Sequence, residues 1–342
     1  MKTYCVTGGA GFIGSNVCKS LLAKGHRVIN MDNFSGFYDY KAKISNVLYS
    51  IDFTGRFPFV SKGGDLELLS SLSKSERYHL YVVDIRNLSA VNAIFQSEKI
   101  DAVIHLAAMP GVRPSIENPL LYEGVNIKGT LNILEAMRKF NVRKWIFASS
   151  SSVYGNQQHS TFSESELNSR PISPYAATKK ACEDMGYSYY NLHGIHGMMM
   201  RFFTVYGPRQ RPDLAIRKFI KQVDLELEIP VYGDGQTARD YTYIDDTVTG
   251  VISAIEYVEG HEVYEIVNIG TGTATSLQTM IRTIEAETGK IAKLQQAPPQ
   301  AGDVDFTKAN IEKASLLLNY SPRVRFSDGI SNQILWQRGV AP

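Results

Sequence analysis

Short apolar runs alternate along the N-terminal part of the chain with stretches whose apolar positions recur at helical spacing. Residues 3–7 (Thr3-Tyr4-Cys5-Val6-Thr7) have the length and content of a buried strand. Val17, Leu21 and Leu22 then follow a helical period up to Gly25, a residue suited to close a helix. Residues 28–32, ending in Asp32, form the next strand run. Further runs at 81–85, 102–108, 144–148 and 198–203 predict strands. Leu131, Ile133, Leu134 and Met137 predict a helix over 127–139 that opens at Asn126. Ser173-Pro174 supplies an N-cap and a first-turn proline for another helix. Strands alternating with helices predict βαβ units and a parallel sheet with helices on both faces. Residues 34–75 carry no sustained period and predict an irregular surface insertion with one or two helices.

After residue 204 the pattern thins. A basic loop over 204–213 precedes a helix over 216–227, a turn at 231–235 and a strand over 239–243. A helix over 245–257, a turn at 267–272, a proline-rich linker ending at 300–304 and a helix over 311–318 complete the expectation. The predicted architecture is α/β: a Rossmann-type doubly wound parallel sheet over 1–204, and a smaller C-terminal α/β substrate domain over 205–342. A segment near 239–265 is expected to return to the first domain.

Composition narrows the function classes. The 342 residues are 44% hydrophobic with a net charge of +2, enough for a sizeable core and too near neutral for a nucleic-acid or membrane surface. Cys5, Cys18 and Cys182 match no metal-ligand spacing and cannot all pair, which predicts reduced thiols in a cytoplasm. No apolar run approaches the ~20 residues of a membrane span. The chain opens directly on a strand, with no signal-peptide pattern.

The chemistry-bearing features lie at strand ends. Gly8, Gly11 and Gly14 stand between the first strand and the first helix, where missing side chains let a pyrophosphate approach backbone N–H groups at a helix start. Asp32 ends the second strand, placed to accept bonds from a ribose 2′-hydroxyl and to repel a 2′-phosphate; no arginine follows nearby, so NAD is expected rather than NADP. Asp84 is placed either to meet an adenine amino group or to cap the next helix. His105 reads as a packed core histidine. Ser149, Ser150, Ser151 and Ser152 put hydroxyls at the crevice end of a strand. Tyr175 and Lys179 lie four apart on one helix face, where a fixed ammonium would ease ionisation of the phenol into a general base. Arg113, Arg211 and Arg239 are three candidates to grip a diphosphate by paired N–H donors.

Thr7-Gly8-Gly9-Ala10-Gly11-Phe12-Ile13-Gly14, Tyr175 with Lys179, and the upstream Ser150 resemble the extended short-chain dehydrogenase/reductase family over residues 3–330. Within it the chain is similar to nucleotide-sugar 4-epimerases, most closely those of UDP-glucuronate. Residues 108–115, 202–213, 238–246 and 302–304 carry that closer likeness. The stretch 52–75 departs from it by being longer. The resemblance implies Tyr175 as base, Lys179 as its electrostatic partner on the nicotinamide ribose, and Ser150 on the sugar 4-oxygen. It implies NAD contacts from Gly8, Gly11, Phe12, Ile13, Gly14, Asp32, Asn33, Asp84, Ile85, Leu106, Ala107, Ala108, Asn126, Ser149 and Phe203, beside Tyr175 and Lys179. Ser151, Ser152, Thr204, Arg113, Arg211, Arg239 and Asp303 would meet the UDP-sugar. Oxidation at C4, turning of the 4-keto sugar and return of the hydride would invert that centre. Related decarboxylases carry a glutamate in the serine run and related dehydratases an Asp-Glu pair; neither acid stands at 150–152, which favours simple epimerisation. The resemblance, together with apolar positions on more than one side of the helices at 126–139 and 175–192, implies a homodimer.

Overall fold

The architecture grows from seven short strands too apolar to leave either face in water. The protein, a computed structural model, is described over residues 1–156, 161–166, 170–233, 235, 237–298 and 306–340. In chain order, β1 (Thr3–Thr7), α1 (Phe12–Ala23), β2 (Arg27–Asp32), α2 (Tyr40–Ser50), α3 (Lys62–Leu72), β3 (Tyr78–Val82), α4 (Leu88–Ser97) and β4 (Ala102–His105) form the first half of a sheet. Short helices α5 (Val112–Glu117) and α6 (Pro119–Tyr122) lead through a π-helical turn, Glu123–Lys128, into α7 (Gly129–Lys139). Then come β5 (Lys144–Ser150), a 3-10 turn at Ser151–Tyr154, α8 (Pro174–His193), β6 (His196–Phe202) and β7 (Thr204–Tyr206). The C-terminal part holds α9 (Ala215–Asp224), β8 (Glu228–Tyr232), β9 (Ala238–Tyr243), α10 (Ile244–Gly260), β10 (Tyr264–Ile269) and β11 (Ala274–Ser276). It ends with α11 (Leu277–Thr288), β12 (Lys293–Ala297), α12 (Glu312–Leu318) and α13 (Phe326–Gln337).

The main sheet runs β10-β6-β5-β4-β1-β2-β3, with every pairing parallel. Its order reverses between β1 and β4, so a crevice opens at their C-terminal ends, beyond Thr7 and His105. Two apolar layers cover the sheet, one including Val17, Leu21, Val251 and Ile255, the other Val91, Ile133, Leu134 and Cys182. A three-stranded sheet, β11-β9-β7, and the pair β12-β8 stand beside it.

Several expectations shift. The third strand begins at Tyr78 and ends at Val82, and the fourth stops at His105. After Gly111, α5 starts at Val112, and Pro114 is tolerated because it falls in the first turn, where no intrahelical donor is needed. The turn expected at 267–272 is largely β10, whose Asn268 and Ile269 pair with Arg201 and Phe202. Residues 34–75 hold two helices, α2 and α3, with irregular, mostly exposed chain between them, as expected, and contacts seat the first of them. Asn46 donates to the Ala10 carbonyl (3.1 Å) and Ser50 to that of Ser15 (2.9 Å), seating α2 on the first βα unit.

His105 is the packed core histidine expected, 1% exposed, with its ring nitrogens 2.6 Å from Thr7 Oγ1 and 3.0 Å from Thr130 Oγ1. Burial, aided by the Lys179 charge, lowers its pKa from 6.5 to about 3. The unfolded chain therefore binds this proton first as pH falls. The group's contribution to stability is complete above pH 6.5 and drains away towards pH 3. Urea unfolding at pH 7 and pH 5 should show His105→Gln losing about 2 kcal/mol less than the wild type over that interval. Equal losses would assign acid sensitivity to other groups.

Candidate active site

The first βα turn is built for close approach. Gly8 has φ +72°, and its N–H donates to the Met31 carbonyl at 2.7 Å. A Cβ there would sit 2.8 Å from Ala107 N, and one on Gly14 would overlap the Gly8 carbonyl oxygen. Gly11, the N-cap of α1, offers no side-chain acceptor, so the first N–H groups of the helix are open to an anion. Phe12 and Ile13 form the first helical positions. Asp32, 6% exposed at the end of β2, accepts from Phe34 N (2.8 Å) and Ala10 N (3.2 Å). An uncapped helix start over a side-chain-free turn, with a carboxylate one strand away, suits the pyrophosphate and ribose of a dinucleotide.

Asp84 stands at the same edge. The Arg86 guanidinium, with further bonds from Arg86 N and from Asn33 Nδ2 (3.0 Å), holds its carboxyl down at about 2. It does not cap the next helix; Asn87 does, accepting from Ala90 N at 3.1 Å. Ile85 is buried, and its carbonyl accepts from Asn132. Beyond β4, Leu106 and Ala107 are tied back to Thr7, through Leu106 N to Thr7 O (3.1 Å) and Ala107 N to Thr7 Oγ1 (3.1 Å), and Ala108 follows partly exposed.

Two residues expected on the cofactor have their side chains engaged with protein. Asn126 lies inside the π-helical turn rather than opening a helix. It accepts from Met109 N (2.7 Å) and donates to Met109 O (3.2 Å) and Thr178 Oγ1 (3.0 Å), bracing the exit of β4 against α8. The Ser149 hydroxyl donates to buried Glu183 at 2.6 Å. Glu183 in turn receives both arms of Arg201, at 2.9 and 2.8 Å.

Ser173 caps α8 by accepting from Ala176 N (3.2 Å), Pro174 takes the first position, and Gly194 closes the helix in the left-handed conformation. This sets Tyr175 in the first turn. Its backbone N–H donates to the Ser115 hydroxyl (3.0 Å), and its ring meets that of Tyr122 edge-on at 6.3 Å. Ser150, last in β5, caps the 3-10 turn by accepting from Ser152 N (3.2 Å), and its hydroxyl donates to Ser152 Oγ (3.2 Å). Burial raises the Tyr175 pKa; the Ser150 hydroxyl and the Arg211 charge oppose it. Lys179 donates to the Ala148 carbonyl (2.7 Å), with its nitrogen 6.0 Å from the Tyr175 ring centre. Burial lowers the Lys179 pKa to about 8, against the charges of Cys182 and Glu183. Lys179 thus stands one helical turn from the phenol, with its ammonium tied to the end of β5.

Arg211 lies in the loop after β7 and forks onto Asp213, Nε to Oδ1 at 3.0 Å and Nη2 to Oδ2 at 2.8 Å. Burial works against its charge, and Asp213 more than restores it. Arg113, on α5, holds its guanidinium 5.7 Å from the Tyr232 ring centre, and Arg239, on β9, donates to the Ala238 carbonyl. Of the three arginines, Arg211 is the one whose charge bears on the Tyr175 pKa. Thr204 opens β7 beside Tyr241 and is not in a loop. Ser151 and Ser152 begin the 3-10 turn, partly exposed. Phe203 is buried against Tyr154 and Phe162, its N–H donating to Ile269 O. Asp303 lies outside the described residues.

Comparison with known proteins gives this geometry a setting. Residues 4–270 match the model of the NAD-dependent epimerase/dehydratase family. The chain belongs to that family.

A UDP-glucuronate 4-epimerase of Thermodesulfobacterium geofontis is 40% identical over 99% of this chain and 97% of its own. The structure of a UDP-glucuronic acid 4-epimerase from Bacillus cereus, in complex with UDP-glucuronic acid and NAD, superposes with TM-score 0.86 at 35% identity, covering 98% of this chain and 99% of the other. A Thermus thermophilus UDP-glucose 4-epimerase in complex with NAD gives TM-score 0.81 at 31% identity, over 98% and 99% of the two chains.

Within this family member, sequence reading missed several residues that shape the site. Lys43, 6% exposed on α2, puts its ammonium 3.6 Å from Asp32. Ser115 and Tyr122 hold Tyr175. Arg201 had one signal, a cation inside an otherwise apolar strand run. Among the described residues, no group of His, Cys, Asp and Glu is arranged to hold a metal. No described helix is long and apolar enough to cross a membrane.

Proposed function

We propose that this protein is a UDP-sugar 4-epimerase that interconverts UDP-glucuronate and UDP-galacturonate. The observation that carries this is Tyr175 with Lys179 one turn on along α8, the ammonium 6.0 Å from the ring centre and bound to the end of β5, beside a glycine turn shaped for close approach. NAD, when bound, supplies a reversible hydride acceptor for the sugar C4. Gly8, Gly11, Gly14 and the start of α1 would hold its pyrophosphate, with Asp32, Asn33 and Asp84 on the adenosine side.

Tyr175 takes the proton of the 4-hydroxyl and gives it back, with Ser150 hydrogen-bonded to the same oxygen. Arg211, with Arg113 and Arg239, neutralises the diphosphate. Ser151, Ser152 and Thr204 hold the C6 carboxylate with neutral hydroxyls. The 4-keto form of a uronic acid is a β-keto acid prone to lose CO2, and no carboxylate side chain stands at 150–152 to assist that loss. Asp303 is proposed at the nucleotide sugar from its motif alone. By function, residues 1–204 with the α10–β10 segment form the cofactor half and most of 205–342 the nucleotide-sugar half.

Exposed apolar side chains around α5, α6 and α8, including Ile116, Leu120, Tyr187 and Leu192, support a homodimer through these helices. The three free, buried cysteines suit the cytoplasm.

Incubation with UDP-glucuronate, UDP-glucose and UDP-N-acetylglucosamine separately, with products resolved by NMR, tests the reading. UDP-galacturonate should dominate, with no net NADH. Conversion confined to the neutral sugars would replace the substrate, and NADH rising in step with product would replace the reaction class.

A further inference from the structure

The loop that carries Arg211 is held from behind by two buried glutamines. Gln210 is 1% exposed and Gln333, on α13, is 0% exposed. Gly207 N–H donates to Gln333 Oε1 (2.9 Å), Gln333 Nε2 donates to Gln210 Oε1 (2.7 Å), and Gln210 Nε2 donates to the Val205 carbonyl (3.1 Å). A main-chain donor at one end and a main-chain acceptor at the other leave both amides only one workable orientation. Arg217 adds to the same hub: its N–H donates to Gln210 Oε1 (3.2 Å) and its guanidinium to the Gln210 carbonyl. Gln337 Nε2, one turn beyond Gln333 on α13, donates to the Arg217 carbonyl at 3.0 Å. Gly207 itself has φ +130°, and a Cβ there would sit 2.7 Å from Ile244 Cγ2, so the chain enters the loop through one narrow route.

Resting on the proposed UDP-sugar activity, we propose that Gln333 and Gln210 form a positioning clasp that aims Arg211 at the substrate diphosphate. Gln333 then governs nucleotide affinity from a helix whose residues lie beyond the family match at 4–270. The clasp fits this work better than a stability role alone. Its bonds converge on Val205, Gly207 and Gln210, immediately before the arginine, and a misaimed planar fork loses both of its bonds at once.

Gln333→Glu keeps the volume but places a second acceptor opposite Gln210 Oε1, reversing the polarity of the chain of amides. Gln333→Met keeps the volume and removes the chain. Calorimetric titration of the NAD-loaded enzyme with UDP should show Gln333→Glu binding about 10-fold to 100-fold more weakly, the scale of a small misplacement, with Gln333→Met in the same direction and NAD content unchanged. In an Arg211→Ala background the Gln333→Glu effect should fall below about 2-fold, because coupled residues are not additive. Unchanged UDP affinity in a folded variant would overturn the clasp. So would a loss that persists at full size without Arg211. Unfolding of both Gln333 variants would assign the residue to stability and overturn it equally. A wild-type enzyme that binds UDP yet converts no UDP-sugar would instead overturn the activity and leave the clasp standing.

Discussion

Tyr175→Phe should lower conversion of UDP-glucuronate by about 10²-fold to 10⁴-fold, the range of a positioned general base. The change is narrow in this structure. The edge-on contact with Tyr122 belongs to the ring, and the bond to Ser115 belongs to the backbone N–H, so both survive. Only the hydroxyl is lost. NAD content of the purified variant should equal that of the wild type, because the glycine turn and Asp32 are untouched. The loss should appear in turnover measured by NMR of the product, with UDP affinity unchanged. Turnover retained in Tyr175→Phe would remove the proposed base. Loss of NAD together with activity would show that the phenol has a structural task in holding the cofactor.

The second large effect concerns stability. Glu183 is 0% exposed and Arg201 3% exposed, joined at 2.8 and 2.9 Å between α8 and β6. Glu183→Ala should cost about 3–5 kcal/mol, because it strands a buried guanidinium. Arg201 has little else to turn to: one face lies on the Tyr154 ring at 4.6 Å, and its Nη1 has no hydrogen-bond partner. The Ser149 hydroxyl loses its acceptor in the same step. Replacing both ends, with Glu183→Leu and Arg201→Leu together, should cost less than Glu183→Ala alone, since no unpaired charge remains. Urea unfolding midpoints of the wild type, the single and the double variant decide this. A double variant less stable than the single would mean that the pair contributes net stability rather than mutual neutralisation.

Glu183 also shows how far a linear reading reaches into the site. It follows Lys179 by one helical turn, so their shared face is visible in the sequence. That Arg201 and Ser149 meet its carboxylate is not, because the meeting depends on β5 and β6 lying side by side under α8. The resemblance implied Ser149 and Asn126 on the cofactor; the fold engages both side chains with protein partners. The phenol was expected to owe its ionisation to Lys179, four residues on; that the lysine also binds the Ala148 carbonyl at the end of β5 depends on how α8 packs on the sheet. The stretch at 267–272 was expected to be a turn, because Gly270 and Gly272 close it, but it belongs in part to the strand at 264–269. Its pairing with β6 makes it the seventh strand. The helices α11 and α13 went unread, although α13 supplies the clasp behind Arg211.

What the sequence determined by itself is local: the glycine turn between β1 and α1, the capped start of α8 with Tyr175 and Lys179 on one face, and the parallel α/β class. These follow from the conformational limits of glycine and proline, from capping, and from apolar period, all of which act within one or two elements. The tertiary structure alone decided which buried polar groups meet: Glu183 with Arg201, Asn126 with Met109 and Thr178, and Gln333 with Gln210 across 123 residues. Burial obliges each such group to find a partner, but which partner it finds depends on which elements become neighbours, and no periodicity along the chain encodes that.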